Sequence, residues 1–251
     1  MTRLFKTITL TSALALAGRA LASDLTAMTD PERDAFRAEV RAYLLDHPEV
    51  IFEAVDEMKR RDAAAQDNMD ETLVRNNAEA IFDDGFSHVG GNLDGDITLV
   101  EFMDYRCGYC RKAHDEVKEL IASDGNIRFI TKEFPILGPD SLESSKFAIA
   151  VRRVAGDDAY VAASDTLMTF NGSVSDTALR RLADGLGLDS DAVLAEMKSD
   201  EVARIIADTR ALAQKLQING TPTFVMGDTM LRGYLPLDAM RQVVEQTRAD
   251  S

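Results

Sequence analysis

Cysteine is nearly absent: the 251 residues contain two, Cys107 and Cys110. Two cysteines cannot build a disulfide framework, and a closed zinc site, which needs four ligands, would have to recruit others. A two-residue loop also constrains the unfolded chain little, so chemistry explains the pair better than stapling does. Positive charge is scarce too. The 28 Lys and Arg face 43 Asp and Glu, for a net charge of −15, which argues against nucleic acid or anionic lipid held by bulk electrostatics. No apolar run reaches the ~20 residues that cross a bilayer. Internal repeats and low-complexity tracts are missing. No glycine occurs between Asp24 and Asp84, and that stretch has too little apolar bulk to bury a core of its own.

What is present reads in order. Arg3 and Lys6 precede a short apolar segment from Ile8 to Ala17, and Ala20-Leu21-Ala22 has the A-x-A form of a cleavage site. Residues 1–22 are therefore expected to be a cleaved signal peptide of an exported chain. Asp30-Pro31-Glu32 opens a helix, with Phe36, Val40, Tyr43 and Leu44 at helical spacing. His47-Pro48 interrupts it. A second helix carries Val50, Ile51, Ala54, Val55 and Met58, then turns polar. Its narrow apolar seam either packs on the rest of the chain or pairs with the same seam of another copy, and self-association is the favoured reading. We expect residues 23–84 to form this helical, oligomerising segment and residues 85–251 the main domain.

In the main domain, Ile97–Met103 reads as a buried strand and Ile127–Phe134 as an alternating one. A helical block fills about 140–217. Thr223–Met226 and Thr229–Arg232 form a hairpin around Gly227-Asp228, and a closing helix follows Pro236. Without the block, the order is β-α-β followed by β-β-α around one sheet, with the β-α-β part parallel. The fold class is α/β.

Cys107-Gly108-Tyr109-Cys110 lies between the first of these strands and an amphipathic helix, the setting of a thiol–disulfide redox site. Free N–H groups and the helix dipole favour a negative sulfur on Cys107, making it the expected nucleophile. Cys110 falls on the stripe Cys110, Ala113, Val117 and Leu120/Ile121, which faces the sheet, so it is the expected buried, resolving thiol. An inert disulfide and a metal site are the alternatives. His114, the nearest histidine, reads as a surface residue rather than a ligand. No metal and no cofactor are expected.

Three segments carry a resemblance: Val100 to Arg111 with the cysteines, Phe134-Pro135-Ile136-Leu137-Gly138-Pro139-Asp140-Ser141, and Gly220-Thr221-Pro222-Thr223-Phe224. Together they resemble the DsbA-like branch of the thioredoxin superfamily, from about Ser87 to Thr247. The resemblance implies a thioredoxin fold with an inserted helical domain. It implies that Thr221-Pro222 is a cis-proline loop against the sulfurs that, with Gly108 and Tyr109, helps bind substrate. It also implies that Glu101, six residues before Cys107, is a buried acid that takes or relays the proton of Cys110. The alternative for Glu101 is a sheet-edge pair with Lys132. The Gly-Tyr dipeptide departs from the Pro-His of DsbA and carries no cation, so the DsbA potential does not transfer. The stretch from Arg41 to Ile51 resembles the amino-terminal segment of suppressor-of-copper-sensitivity C proteins, which oligomerise through it.

These resemblances imply a periplasmic, homo-oligomeric thiol–disulfide oxidoreductase acting on exported cysteine-containing proteins, more as isomerase or reductase, with a membrane thiol reductase or oxidase as redox partner. A DsbA-type dithiol oxidase is the runner-up. A copper(I)-binding protein is the reading from another class, since soft thiolates select Cu(I).

Overall fold

The structure is a computed structural model that describes residues 28–250; the expected signal peptide lies outside the described residues. The chain divides into two compact units, one ending at Arg60 and one beginning at Arg61.

The first unit holds helix α1 (Asp30–Asp46) and the start of α2 (Glu49–Asn76). The Glu32 carboxylate caps α1 by accepting from the Thr29 backbone N–H at 2.8 Å and the Thr29 hydroxyl at 2.7 Å. Pro48 separates the two helices, as expected. No residue of α1 is buried, and Phe36, Val40, Tyr43, Leu45, Ile51 and Phe52 are all exposed.

The second unit takes the rest of α2 and the short α3 (Ala78–Phe82) into its core. The division therefore falls inside α2. Val74 and Ile81 are buried with Val100, Phe102, Ile130 and Leu216. Asp70, itself buried, accepts from Arg232 at 2.7 and 3.0 Å.

Five strands form one sheet in the order β1-β3-β2-β4-β5: β1 (His88–Gly91), β2 (Ile97–Met103), β3 (Ile127–Glu133), β4 (Thr223–Met226) and β5 (Thr229–Arg232). β2 and β3 are parallel, as the intervening helix requires, and the other pairs are antiparallel. β2 is central and buried almost throughout, which is why it reads as a near-continuous apolar run. Gly95 precedes it because a Cβ there would sit 2.6 Å from the Asn126 carbonyl oxygen.

α4 (Gly108–Asp124) and α10 (Leu237–Asp250) cover the face of Ile97, Leu99, Ile127, Phe224 and Met226. Gly125 ends α4 in the left-handed conformation, φ 72°. The opposite face packs on α2, α3 and the end of α9. The helical block is α5 (Pro139–Ala155), α6 (Asp157–Thr169), α7 (Asp176–Gly185), α8 (Ser190–Glu196) and α9 (Asp200–Lys215). Its core is continuous with Met103, Tyr105, Cys107 and Cys110, so the cysteines lie where sheet and block meet. This is the α/β thioredoxin architecture with a helical insertion, preceded by a helical segment.

Candidate functional site

β2 ends at Met103, and the turn after it is fixed by Asp104. One carboxylate oxygen accepts from the Arg106 N–H at 2.8 Å, the other from the N–H groups of Ile136 and Leu137 at 2.8 and 3.1 Å. This buried acid binds the cysteine turn to the loop after β3. Cys107 is then the N-cap of α4, where a side chain can take an otherwise unpaired backbone N–H. Its sulfur does so, accepting from the Cys110 N–H at 3.4 Å. The Thr221-Pro222 peptide is cis, and the Thr221 carbonyl accepts from the Cys107 thiol at 3.1 Å.

The two thiols, both free, stand in unlike surroundings. The Cys110 thiol donates toward Cys107 and is the main reason the Cys107 pKa falls from 9.0 to about 5. Partial burial opposes this; Thr221 and the Cys110 and Tyr109 N–H groups assist. Cys110 is fully buried on the sheet-facing stripe. Its pKa is pushed strongly up, first by that hydrogen bond, then by burial and by the charge of Glu101. One sulfur is thus a thiolate at neutral pH and the other a thiol.

Glu101 lies on central β2 and is 4% exposed, and its Oε1 has no hydrogen-bond partner. Burial, then the charges of Cys107 and Glu133, raise its pKa to about 8. The alternative pairing with Lys132 is not formed. Glu101 stands opposite Thr131 in the parallel register, so Lys132 points to the other face of the sheet. There the Lys132 ammonium donates to the Ala80 carbonyl at 2.9 Å and to Asp84 at 2.5 Å.

Gly108 is exposed and opens α4. Tyr109 is exposed and stacks on Tyr234 with ring centroids 6.0 Å apart, while the Lys112 ammonium lies 4.2 Å from the centre of the Tyr234 ring. Exposed Ile136 and Leu137 follow β3. The structure thus brings Cys107, Cys110, Glu101 and Thr221 together, with Pro222 in the same loop and Gly108 and Tyr109 at the outer rim. His114 is less exposed than expected: its Nε2 is 2.8 Å from Asp165 of α6.

Sequence reading missed three features. Asp104 gave no signal beyond its place in the turn. Arg111 donates to the Tyr105 and Phe170 carbonyls at 2.7 and 2.6 Å and to Asn171 at 2.6 Å, tying α4 to the helical block. Glu133 ends β3 buried, accepting from the hydroxyls of Tyr105 and Tyr160, each at 2.7 Å. Glu101 is marked by its place six residues before Cys107, and Glu133 has no such position relative to the cysteines.

A thioredoxin-type sheet that carries a thiolate and a buried thiol at one helix N-terminus, facing a cis-proline loop, defines a thiol–disulfide oxidoreductase. The chain belongs to the DSBA-like thioredoxin domain family, whose model matches residues 98–245. The model of the copper resistance protein ScsC N-terminal domain matches residues 32–65.

Among solved structures, a thioredoxin-like oxidoreductase from Silicibacter pomeroyi is 37% identical, TM-score 0.63, over 68% of this chain and 97% of that one. The thiol-disulfide exchange protein alpha-DsbA2 from Wolbachia pipientis is 29% identical, TM-score 0.67, over 72% and 97%. A linker-deletion mutant of ScsC from Proteus mirabilis has the same fold across 90% of this chain and 99% of its own, at 23% identity and TM-score 0.67. The curated relatives are Na(+)/H(+) antiporters; that of Salinispora arenicola is 28% identical over 158 residues, 62% of this chain. The chain spans about a quarter (24%) of that relative's length.

Proposed function

We propose that the protein is an exported, periplasmic oxidoreductase that associates with copies of itself and reduces or isomerises disulfides of exported cysteine-containing proteins. The observation that carries the chemistry is the opposed pair of thiols. The Cys107 thiolate attacks a substrate disulfide; the substrate S–S bond breaks and one substrate sulfur leaves as thiolate. Cys110 then gives its proton to the Glu101 carboxylate and attacks Cys107. The Cys107–Cys110 disulfide forms and the second substrate thiolate departs. In isomerisation a substrate thiol attacks the mixed disulfide instead and restores Cys107. Thr221 and Pro222 receive the substrate backbone, and Tyr109 with Gly108 borders the entry. A membrane thiol reductase would return the pair to the dithiol form.

The preference for reduction or isomerisation over oxidation is supported by the exposed apolar seam of the first unit and by the ScsC N-terminal match, features of an oligomeric chain. One observation favours the second reading, a dithiol oxidase. A Cys107 pKa of about 5 stabilises the reduced form, and that stabilisation is the source of oxidising power. Two measurements separate them: the redox state of the pair in the cell, and recovery of activity by a scrambled-disulfide protein. A reduced pair with recovery supports the proposal; an oxidised pair without recovery supports the oxidase. Retained disulfide reduction by Cys107→Ser would remove both.

A further inference from the structure

One buried acid has no part in the exchange steps above. Glu133 is 5% exposed at the end of β3. Its Oε1 accepts from two tyrosines, while its Oε2 is buried with no hydrogen-bond partner. Oε1 of Glu101 is in the same condition. The acids share one face of the sheet. Glu101 pairs with Thr131 and Met103 with Glu133, which makes the two acids diagonal neighbours on adjacent parallel strands.

Glu133 also lines a cavity of about 180 Å³ enclosed by β1, β3, α5, α6, α9 and the loop before β1. A water takes about 30 Å³ in the liquid, so a polar cavity of this size has room for several. Its wall includes the Thr209 hydroxyl, buried without a partner. The wall runs out to Arg204 and Glu201, whose side chains are 49% and 38% exposed. A buried acid with a free oxygen thus stands between a second such acid and a polar route to the surface.

We propose that Glu133 and this cavity form the second proton station of the redox centre, taking from Glu101 the proton released by Cys110 and passing it to water. The inference rests on the roles given above to Cys110 and Glu101. The S–H bond of Cys110 breaks and its proton goes to a Glu101 oxygen; Glu101 gives a proton to Glu133 through an intervening water, and Glu133 gives one to a cavity water. The electron pair left on Cys110 makes the new S–S bond. Glu133 is a positioning residue, acting through Glu101. The pKa values of the acids, about 8 and about 7, are near enough that neither traps the proton.

Burial is the main cause of the raised Glu133 value, with the nearby side chains of Tyr105, Ser145 and Tyr160 pulling it down and the charge of Asp104 pushing it up. From the other elements around the cavity, Asp84 precedes β1, His88 on β1 pairs with Asp157, Arg152 and Arg153 come from α5, and Arg204 and Glu201 from α9.

The test uses the full chain. Reduced protein is mixed with oxidised glutathione from pH 5 to 9 and quenched in acid, and the Cys107–glutathione disulfide is followed by mass as it forms and decays. Its decay is the Cys110 step. In the native chain the decay rate should rise with pH as the acids ionise. Glu133→Gln, which removes the charge that pushes Glu101 up, should move the midpoint to lower pH. It should also lower the plateau about tenfold, less than the roughly 10²–10⁴-fold of a whole acid–base group because water substitutes in part. Glu133→Asp should recover most of the plateau.

A Glu133→Gln profile that overlays the native one, or whose midpoint moves with the plateau intact, overturns the proposal. So does an equal slowing at every pH in both variants, which marks a structural role. Glu101→Gln separates the two claims. If it changes the profile and Glu133→Gln does not, only the second station falls; if it changes nothing, the role of Glu101 falls and the proposal with it.

Discussion

Cys107 and Cys110 are chemically alike in an unfolded chain, and their surroundings separate them. The thiolate of Cys107 is favoured by the Cys110 thiol, by Thr221 and by two backbone N–H groups. Alkylation of Cys107 should therefore reach half its maximum rate near pH 5; a midpoint near the ordinary 9.0 contradicts this account. Glu101 has the opposite sign. Its folded pKa of about 8 lies above the ordinary 4.5, so the unfolded chain ionises first as pH rises, and stability is lost between those values. Glu101→Gln should raise the melting temperature at pH 8 and leave it nearly unchanged below pH 4. A gain of about 1–3 kcal/mol is in keeping with a buried polar group lacking a partner, or roughly 2–4 °C per kcal/mol in a chain of this size. A lowered melting temperature at every pH would show that Glu101 supports the fold instead. The neighbouring positions of Cys107, Cys110 and Glu101 were legible because strand, turn and helix are contiguous around them. Glu133 was not, because its hydrogen-bond partners Tyr105 and Tyr160 lie 28 and 27 residues away in sequence.

At the scale of elements, one register decides two assignments. Glu101 opposite Thr131 sends Glu101 toward α4 and Lys132 toward α3. The Lys132–Asp84 pair, with side chains 1% and 8% exposed, is a staple between β3 and the segment after α3. Lys132→Ala should cost about 3–5 kcal/mol, since it leaves an uncompensated buried charge. It should leave the pH midpoint of Cys107 alkylation in place, because Lys132 lies on the face away from the sulfurs; a moved midpoint would restore a link to Glu101. The element order was legible from local signals: the two-residue hairpin turn, the helix caps, and a strand–helix–strand run that has to be parallel. The face of Lys132 was not, because an alternating strand shows which residues share a face but not which face meets its neighbour's acid. The extent of α2 in the larger unit was equally hidden, since Val74, Ile81 and Asp70 are marked only by partners distant in sequence.

For the whole molecule, none of the described helices is long and apolar enough to cross a membrane. The seam of Phe36, Val40, Tyr43, Ile51 and Phe52 is exposed in the single chain, and another copy of the same seam is the partner we propose for it. Phe36→Glu together with Phe52→Glu should reduce the mass in solution to that of one chain while Cys107 alkylation is unchanged; an unchanged mass would place self-association elsewhere. The central claim is that the two sulfurs hold unequal posts in one exchange reaction. A peptide containing a disulfide, added to full-length Cys110→Ser and Cys107→Ser proteins and read by intact mass, tests it most directly. Unequal posts require a stable one-peptide adduct on Cys110→Ser, through Cys107, and none on Cys107→Ser. Adducts on both variants, or on Cys107→Ser alone, would contradict it.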